Sequence, residues 1–207
     1  MKVILVNGSP HEKGCTYTAL CEAAKALNGC GIDTEIIWIG KSAIAGCIGC
    51  GACKKLGKCF IDDTVNKFTE LAADADGFIF GSPVHYAAAS GALTSFMDRA
   101  FYSGNSKLTG KPAAAVVSCR RGGASAAFDQ INKYFTISAM PVVSSQYWNQ
   151  VHGTTPEEVM QDEEGLQTMR TLGRNMAWLL KCIEAGRAAG VEYPQPEPFI
   201  RTNFIRK

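Results

Sequence analysis

Residues 46–59 read GCIGCGACKKLGKC and place four thiols, Cys47, Cys50, Cys53 and Cys59, within one short run. Thiolates so close together can ligate a metal centre, be crosslinked, or stand as free reduced thiols. Gly49, Gly51 and Gly57 allow tight wrapping, and Lys54, Lys55 and Lys58 would offset the negative charge of a thiolate-bound centre. Structural zinc sites usually separate two Cys-x2-Cys pairs, so zinc fits this run less well than a compact cluster. Five further cysteines, Cys15, Cys21, Cys30, Cys119 and Cys182, are scattered, and the total of nine is odd. That is a poor disulfide framework, and these five are expected to pack as small buried hydrophobes. Spacing alone leaves a cluster, zinc and empty thiols all open.

Other candidate chemistry lies in three segments that each follow an apolar run. NGSPHEKGCTYT (7–18) is small, rich in hydroxyls and opens a helical pattern. Ser9, Thr16 and Thr18 can donate hydroxyls there, and the first-turn N–H groups of a helix carry its positive dipole end. A phosphate dianion fits such a site without a lysine. The plainer alternative is a helix cap by Thr16 or Thr18. Nucleotide P-loop chemistry is excluded, because Gly8 and Gly14 lead into Cys15-Thr16 with no lysine. The dinucleotide Gly-x-Gly-x-x-Gly is absent from this turn. No cysteine has an arginine six positions later, so a phosphatase Cys-x5-Arg loop is absent too. A phosphate bound by this loop is therefore expected to be held, not transferred.

GSPVHYAAASG (81–91) and SCRRGGAS (118–125) suit a flat ring. Pro83, Val84, His85 and Tyr86 offer an aromatic face, and the small residues after them let the backbone approach. Arg120, Arg121, Gly122 and Gly123 place two cations and permissive backbone before a helix, where N–H groups can stabilise charge on a reduced ring. His85 also reads as a surface histidine, Tyr86 as ordinary packing and the arginine pair as a solvated turn.

The elements that must position these loops alternate. Residues 3–6 (VILV), 77–81 (GFIFG) and 113–117 (AAAVV) are continuous apolar runs, as in strands buried on both faces. Residues 33–39 (DTEIIWI) start polar, and a fifth strand is expected to begin at Val142-Val143 and turn polar at Ser144-Ser145. Helical periodicity covers 16–28, 64–74, 90–102 and 124–138, and a long helix is expected over 155–185 with Met169, Leu172, Met176, Leu179 and Ile183 inward. This alternation predicts an α/β three-layer sandwich around a five-stranded parallel sheet. Polar second and fifth strands belong at the margins, which selects the flavodoxin-like order 2-1-3-4-5. Ligands of such sheets bind at the carboxyl end, beside strands one and three.

The chain has 207 residues and a net charge of +2, which fits one domain and gives no reason to expect nucleic acid or a membrane as partner. No run approaches a membrane span or a secretory core, so a cytoplasmic location is expected. The expected organisation is a single domain over 1–207, with a cysteine-rich insertion at 44–62 and a tail at 190–207. The tail is Pro-rich, then carries Phe199, Ile200, Phe204 and Ile205. It reads as loose or as held by a neighbouring subunit.

Taken together, GSPHEKGCTYTAL (8–20), the cysteines at 47–59, GSPVHYAAASGALTSFMDR (81–99) and SCRRGG (118–123) resemble the flavodoxin-like NAD(P)H-dependent FMN reductase superfamily. The resemblance is strongest to its iron–sulfur flavoprotein branch and related multimeric oxidoreductases, and it runs over most of residues 1–145. It implies bound FMN, with Ser9, Thr16, Tyr17 and Thr18 on the phosphate. Ser82, Pro83, Val84, His85 and Tyr86 would line the ring, and Ser118 and Arg120 to Gly123, including Arg121 and Gly122, would lie at its polar edge. It also implies a [4Fe–4S] cluster on Cys47, Cys50, Cys53 and Cys59. The family often has Ser or Asn where this chain has Cys15, which removes a side-chain ligand but leaves the N–H. A homodimer or homotetramer is implied as well.

The function expected from this resemblance is an FMN oxidoreductase that takes hydride from NAD(P)H and passes electrons to a quinone, a free flavin or another small acceptor. Two alternatives stand beside it. One is an FMN and cluster electron carrier fed by a ferredoxin-like partner; the other is a thiol-based sensor on the same fold.

Overall fold

A computed structural model describes residues 1–198, 200 and 202 of the chain. Strands β1 (Lys2–Asn7), β2 (Asp33–Trp38), β3 (Gly77–His85), β4 (Ala88–Ala89), β5 (Ala113–Cys119) and β6 (Gln150–His152) alternate with helices. The helices are α1 (Cys15–Gly29), α2 (Cys53–Leu56), α3 (Thr64–Leu71), α4 (Gly91–Leu108), α5 (Ala124–Ile137), α6 (Pro156–Val159) and α7 (Glu163–Ala188). The main sheet runs β2-β1-β3-β5-β6 with every pair parallel. Counting only these five strands, the order is the predicted 2-1-3-4-5. The sixth strand, β4, folds back antiparallel on the end of β3.

The alternation of a pleated strand splits the core in two. On one face Ile4, Val6, Phe78, Phe80 and Val117 pack against α3, α4 and α5 through Phe68, Phe96, Phe101 and Phe135. On the other, Val3, Leu5, Ile79 and Val116 meet α1 and α7 through Leu20, Leu27, Met169, Leu172 and Met176. β1, β3 and β5 are buried almost throughout, which is why their sequences are apolar without alternation. β2 is only partly buried, as a margin strand should be.

Four expectations need correction. The fifth strand does not run on from Val142-Val143. Val142 makes one isolated bridge to Ala113, the chain leaves the sheet, and pairing resumes at Gln150–His152 against Val117–Cys119. A local turn competes with the ladder there: Ser145 Oγ donates to Tyr147 O at 2.6 Å and accepts from Tyr147 N at 3.3 Å. The single long helix is two helices, because Asp162 caps a new start by accepting from Gly165 N. Ile183 lies outside the buried core of α7, which ends at Leu180. Of the five scattered cysteines only Cys119 is buried; Cys15, Cys21 and Cys30 are half-buried and Cys182 is exposed. In the tail, the apolar Phe199, Phe204 and Ile205 lie outside the described residues. Among the described residues, no helix is long and apolar enough to cross a membrane.

Phe68 is the hub of the aromatic layer, edge-on to Phe78 and Phe80 at 5.8 Å each and to Phe96 at 5.2 Å. Phe68→Ala is expected to cost about 3–5 kcal/mol, since the deleted ring leaves a cavity that strands on a rigid sheet cannot close. The midpoint of urea unfolding, at unchanged slope, checks this.

Candidate functional site

The three chemistry-bearing loops leave the sheet side by side after β1, β3 and β5. Gly8 N donates to Gly81 O at 2.9 Å, joining the first two exits. A Cβ at Gly8 would sit 2.7 Å from Leu93 Cβ, and one at Gly81 would sit 2.8 Å from Thr16 Cγ2. Only glycine allows this approach, so both Gly-Ser-Pro segments are fixed by packing. Asn7 shapes the first loop from within. Its Oδ1 accepts from Ser9 N at 3.1 Å and its Nδ2 donates to Glu12 O at 2.9 Å. Trp38 Nε1 donates to Ser9 O at 2.8 Å from β2.

The helix starts carry the electrostatics. α1, α4 and α5 begin at Gly14, Ser90 and Gly123 with no side-chain cap and no acidic residue in the first turn. On the margin side α3, α6 and α7 are capped by Asp63, Thr155 and Asp162, and only the four-residue α2 lacks a side-chain cap. Free N–H groups and positive dipole ends are therefore concentrated beside the central strands, where an anion or an electron-rich ring would be stabilised. Neither Thr16 nor Thr18 caps α1. Thr18 Oγ1 donates back to Gly14 O at 3.3 Å, and Thr16 Oγ1 pairs with Ser118 Oγ at 2.8 Å.

Ser9, Thr16, Ser82 and Ser118 form a buried polar floor under the loops. Ser9 Oγ accepts from His11 N at 3.1 Å and keeps its O–H for another partner. The Thr16–Ser118 pair uses one of its two O–H donors and leaves the second. Ser82 Oγ donates to Pro83 O at 2.8 Å and accepts from Ser90 N at 2.9 Å, holding the second loop against the start of α4. Val84 meets the third loop, since a Cβ at Gly123 would lie 2.8 Å from Val84 Cγ1. Pro83, Tyr17 and Thr18 are half-buried, while His85, Tyr86, Arg120, Arg121 and Gly122 are exposed. Tyr86 tips the β3–β4 hairpin with a left-handed φ of 59°. The structure thus joins Ser9, Thr16, Ser82, Ser118, Val84 and Gly123 into one scaffold. It leaves His85, Tyr86, Arg120 and Arg121 exposed at the surface.

Thiol chemistry is disfavoured here. Burial pushes the thiols of Cys15 and Cys119 above their ordinary pKa, so both stay protonated at neutral pH. Cys15 Sγ instead approaches Gly153 O at 3.7 Å, and Cys119 Sγ lies 3.5 Å from His152 Nδ1.

All four clustered cysteines line one pocket, together with Phe60, Arg99 and Tyr102. Gly49, Gly51 and Gly57 take the left-handed φ that the wrapping requires. Among the described residues, no three His, Cys, Asp or Glu side chains converge as ligands of one metal ion. A cubane asks for something else: its thiolates bind four separate irons and surround a space instead of meeting at a point. Four thiols lining one pocket fit that better than they fit a single zinc ion.

Sequence reading missed the residues that hold this loop. Arg99 is 1% exposed on the inner face of α4, and its guanidinium pairs with Asp63 at 2.6 Å and bonds Cys59 Sγ at 3.3 Å. Burial works against its charge, but Asp63 and Cys59 outweigh that and raise its pKa above the usual arginine value. Asn66 Oδ1 accepts from Cys59 N at 3.1 Å, and its Nδ2 donates to Cys59 O at 2.9 Å. The available signal was an arginine flanked by Phe96, Met97 and Ala100 on an apolar helical stripe, where a charge needs a buried partner.

Ser118→Ala is expected to cost about 1–3 kcal/mol in cofactor-free protein, because it leaves the Thr16 hydroxyl buried without its partner. Adding Thr16→Val should cost less than the sum of the two single changes, read as a double-mutant cycle in urea.

Comparison with known proteins agrees with this geometry. The chain is 36% identical over 194 residues to an iron–sulfur flavoprotein of Methanocaldococcus jannaschii, covering 89% of this chain and 100% of that protein. It is 27% identical over 191 residues to an iron–sulfur flavoprotein of Methanosarcina thermophila, covering 90% and 99%. Among solved structures, RosB with a bound 8-demethyl-8-formylriboflavin-5'-phosphate intermediate matches with a TM-score of 0.71 at 15% identity, over 99% of this chain and 92% of that one. An archaeal flavodoxin matches with a TM-score of 0.61 at 18% identity, over 87% and 99%. At those identities the two structures speak for the fold alone. The model of the NADPH-dependent FMN reductase family matches residues 1–155, and the chain belongs to that family.

Proposed function

We propose that the protein is an FMN-dependent oxidoreductase, reduced by NAD(P)H, that passes electrons to a small acceptor such as a quinone or a free flavin. The observation that carries this reading is the set of uncapped helix starts after β1, β3 and β5, set against the capped starts of α3 and α7. Family membership and the iron–sulfur flavoprotein relatives support it.

Bound FMN would supply hydride and single-electron transfer. The chain's own task is to bind and orient it. Ser9, Thr16, Tyr17 and Thr18, with the free N–H groups of α1, hold the phosphate without lysine. Ser82, Pro83, Val84, His85 and Tyr86 line the ring. Ser118, Arg120, Arg121, Gly122 and Gly123 form its polar edge, where the α5 start favours negative charge. Cys47, Cys50, Cys53 and Cys59 hold a [4Fe–4S] cluster, which adds a one-electron store. Assembly as a homodimer or homotetramer would cover the open ring face, and a reducing cytoplasm suits the free thiols.

One feature favours a second reading, an electron carrier fed by a ferredoxin-like protein. Ile48, Leu56 and Phe60 are exposed on the cysteine run beside Lys54, Lys55 and Lys58. Exposed apolar residues interspersed with lysines along the run suit a small acidic redox partner.

Anaerobic purification with added riboflavin and iron tests both. The expected product is yellow, carries FMN and about four irons per chain, and bleaches on addition of NADH or NADPH. Bleaching only with reduced ferredoxin selects the carrier. Colourless protein that refuses added FMN overturns the proposal. FMN should also bind far more tightly than riboflavin, measured by quenching of flavin fluorescence, because the α1 start contributes only to the phosphate ester.

A further inference from the structure

Arg99 has the features of a tuning residue and not merely of a packed one. A charge this deeply buried is stabilising only when every donor is matched. Here all five are: Nε to Cys59 Sγ at 3.3 Å, Nη1 to Asp63 Oδ2 at 2.6 Å and Ala45 O at 3.4 Å, and Nη2 to Asp63 Oδ1 at 3.0 Å and Ile61 O at 2.8 Å. The acceptors flank the cysteine run, Ala45 before Cys47 and the others from Cys59 onward. One side chain on the rigid α4 therefore fastens both ends of the insertion. Among the described residues, Cys59 is the one member of the four whose sulfur accepts a side-chain hydrogen bond.

We propose that Arg99 is a positioning residue for the metal centre of the cysteine loop, fixing Cys59 as a thiolate ligand and raising the centre's reduction potential, with Asp63 opposing part of that effect. The proposal rests on the cluster reading above. A hydrogen bond and a positive charge at a thiolate ligand stabilise the more negative, reduced state of an iron–sulfur centre. Asp63 returns a negative charge to the same place. Removing either member of the pair should thus move the potential in opposite directions, which a purely structural clamp would not do.

The test compares wild-type protein with Arg99→Met, Arg99→Lys and Asp63→Asn after anaerobic iron and sulfide reconstitution. FMN content serves as the check on folding, and redox titration followed by electron paramagnetic resonance gives the potential. Asp63→Asn is chosen because asparagine can still cap α3, where Asp63 Oδ1 accepts from Val65 N at 2.9 Å. The expected result is a more negative potential, or loss of iron with FMN retained, for Arg99→Met. Asp63→Asn should shift the potential positive. Arg99→Lys should fall nearer wild type than Arg99→Met, because it keeps the charge but not the planar five-donor fork. Unchanged potentials in Arg99→Met and Asp63→Asn, or shifts of the same sign in both, overturn the proposal. Should Arg99→Met fail to bind FMN, Asp63→Asn decides alone: no positive shift refutes it. Wild-type protein that binds FMN but takes up no iron removes the cluster reading itself, and that failure is visible before any variant is made.

Discussion

Every helix must find acceptors for the N–H groups of its first turn, and this protein meets that demand in two ways. On the margin side a side chain does it for three helices, Asp63 for α3, Thr155 for α6 and Asp162 for α7, and only the four-residue α2 starts without one. Where a helix follows a central strand, no side chain does it, and the N–H groups face the carboxyl rim of the sheet. Parallel strands send all three central loops to the same end, so the unmet demand is gathered in one place. Gly8 and Gly81 then bring the first two loops into contact, and the Thr16–Ser118 hydroxyl pair ties the first to the third. A ligand with a phosphate at one end and an electron-accepting ring at the other answers all three helix starts at once.

The cysteine insertion obeys a different logic. Apart from Ile44, which packs against the aromatic face of the core, it lies outside both hydrophobic clusters and has almost no core of its own; α2 buries no residue. Its order is supplied from outside, by Arg99 on α4 and by Asn66 and Asp63 at the start of α3. Four sulfurs on a loop so lightly packed depend on those polar anchors to keep a common pocket. The anchors also keep the loop adjacent to α4, whose start stands at the carboxyl rim of the sheet.

Much of this was legible in the sequence because burial on both faces leaves a plain signature. The runs at residues 3–6, 77–81 and 113–117 became β1, β3 and β5, and polarity alone sent the second and fifth strands to the margins. The fifth strand was misplaced because Gln150-Val151-His152 carries a single apolar residue, while Val142-Val143 looks more strand-like and forms only a bridge. The break before α7 was hidden since Asp162 works through a cap rather than through periodicity. In the site, hydroxyls and glycines marked the loops well. What the sequence could not convey was that Thr16 turns inward to Ser118, or that an arginine on an apolar stripe had Asp63 and Cys59 waiting thirty-six and forty residues away.

The short β6 bears on how copies of this chain can meet. It offers only three residues of ladder, and the segment before it is folded into its own turn at Ser145–Tyr147. An incoming strand would find few donors and acceptors to zip onto, because Gln150 N already donates to Trp148 O at 2.7 Å and His152 N to Asp162 Oδ2 at 2.7 Å, so the sheet is effectively sealed along that border. Self-association through that side has to be built from side chains and loops, which leaves the rim open to be shared between neighbours instead of being roofed by a continuous intermolecular sheet.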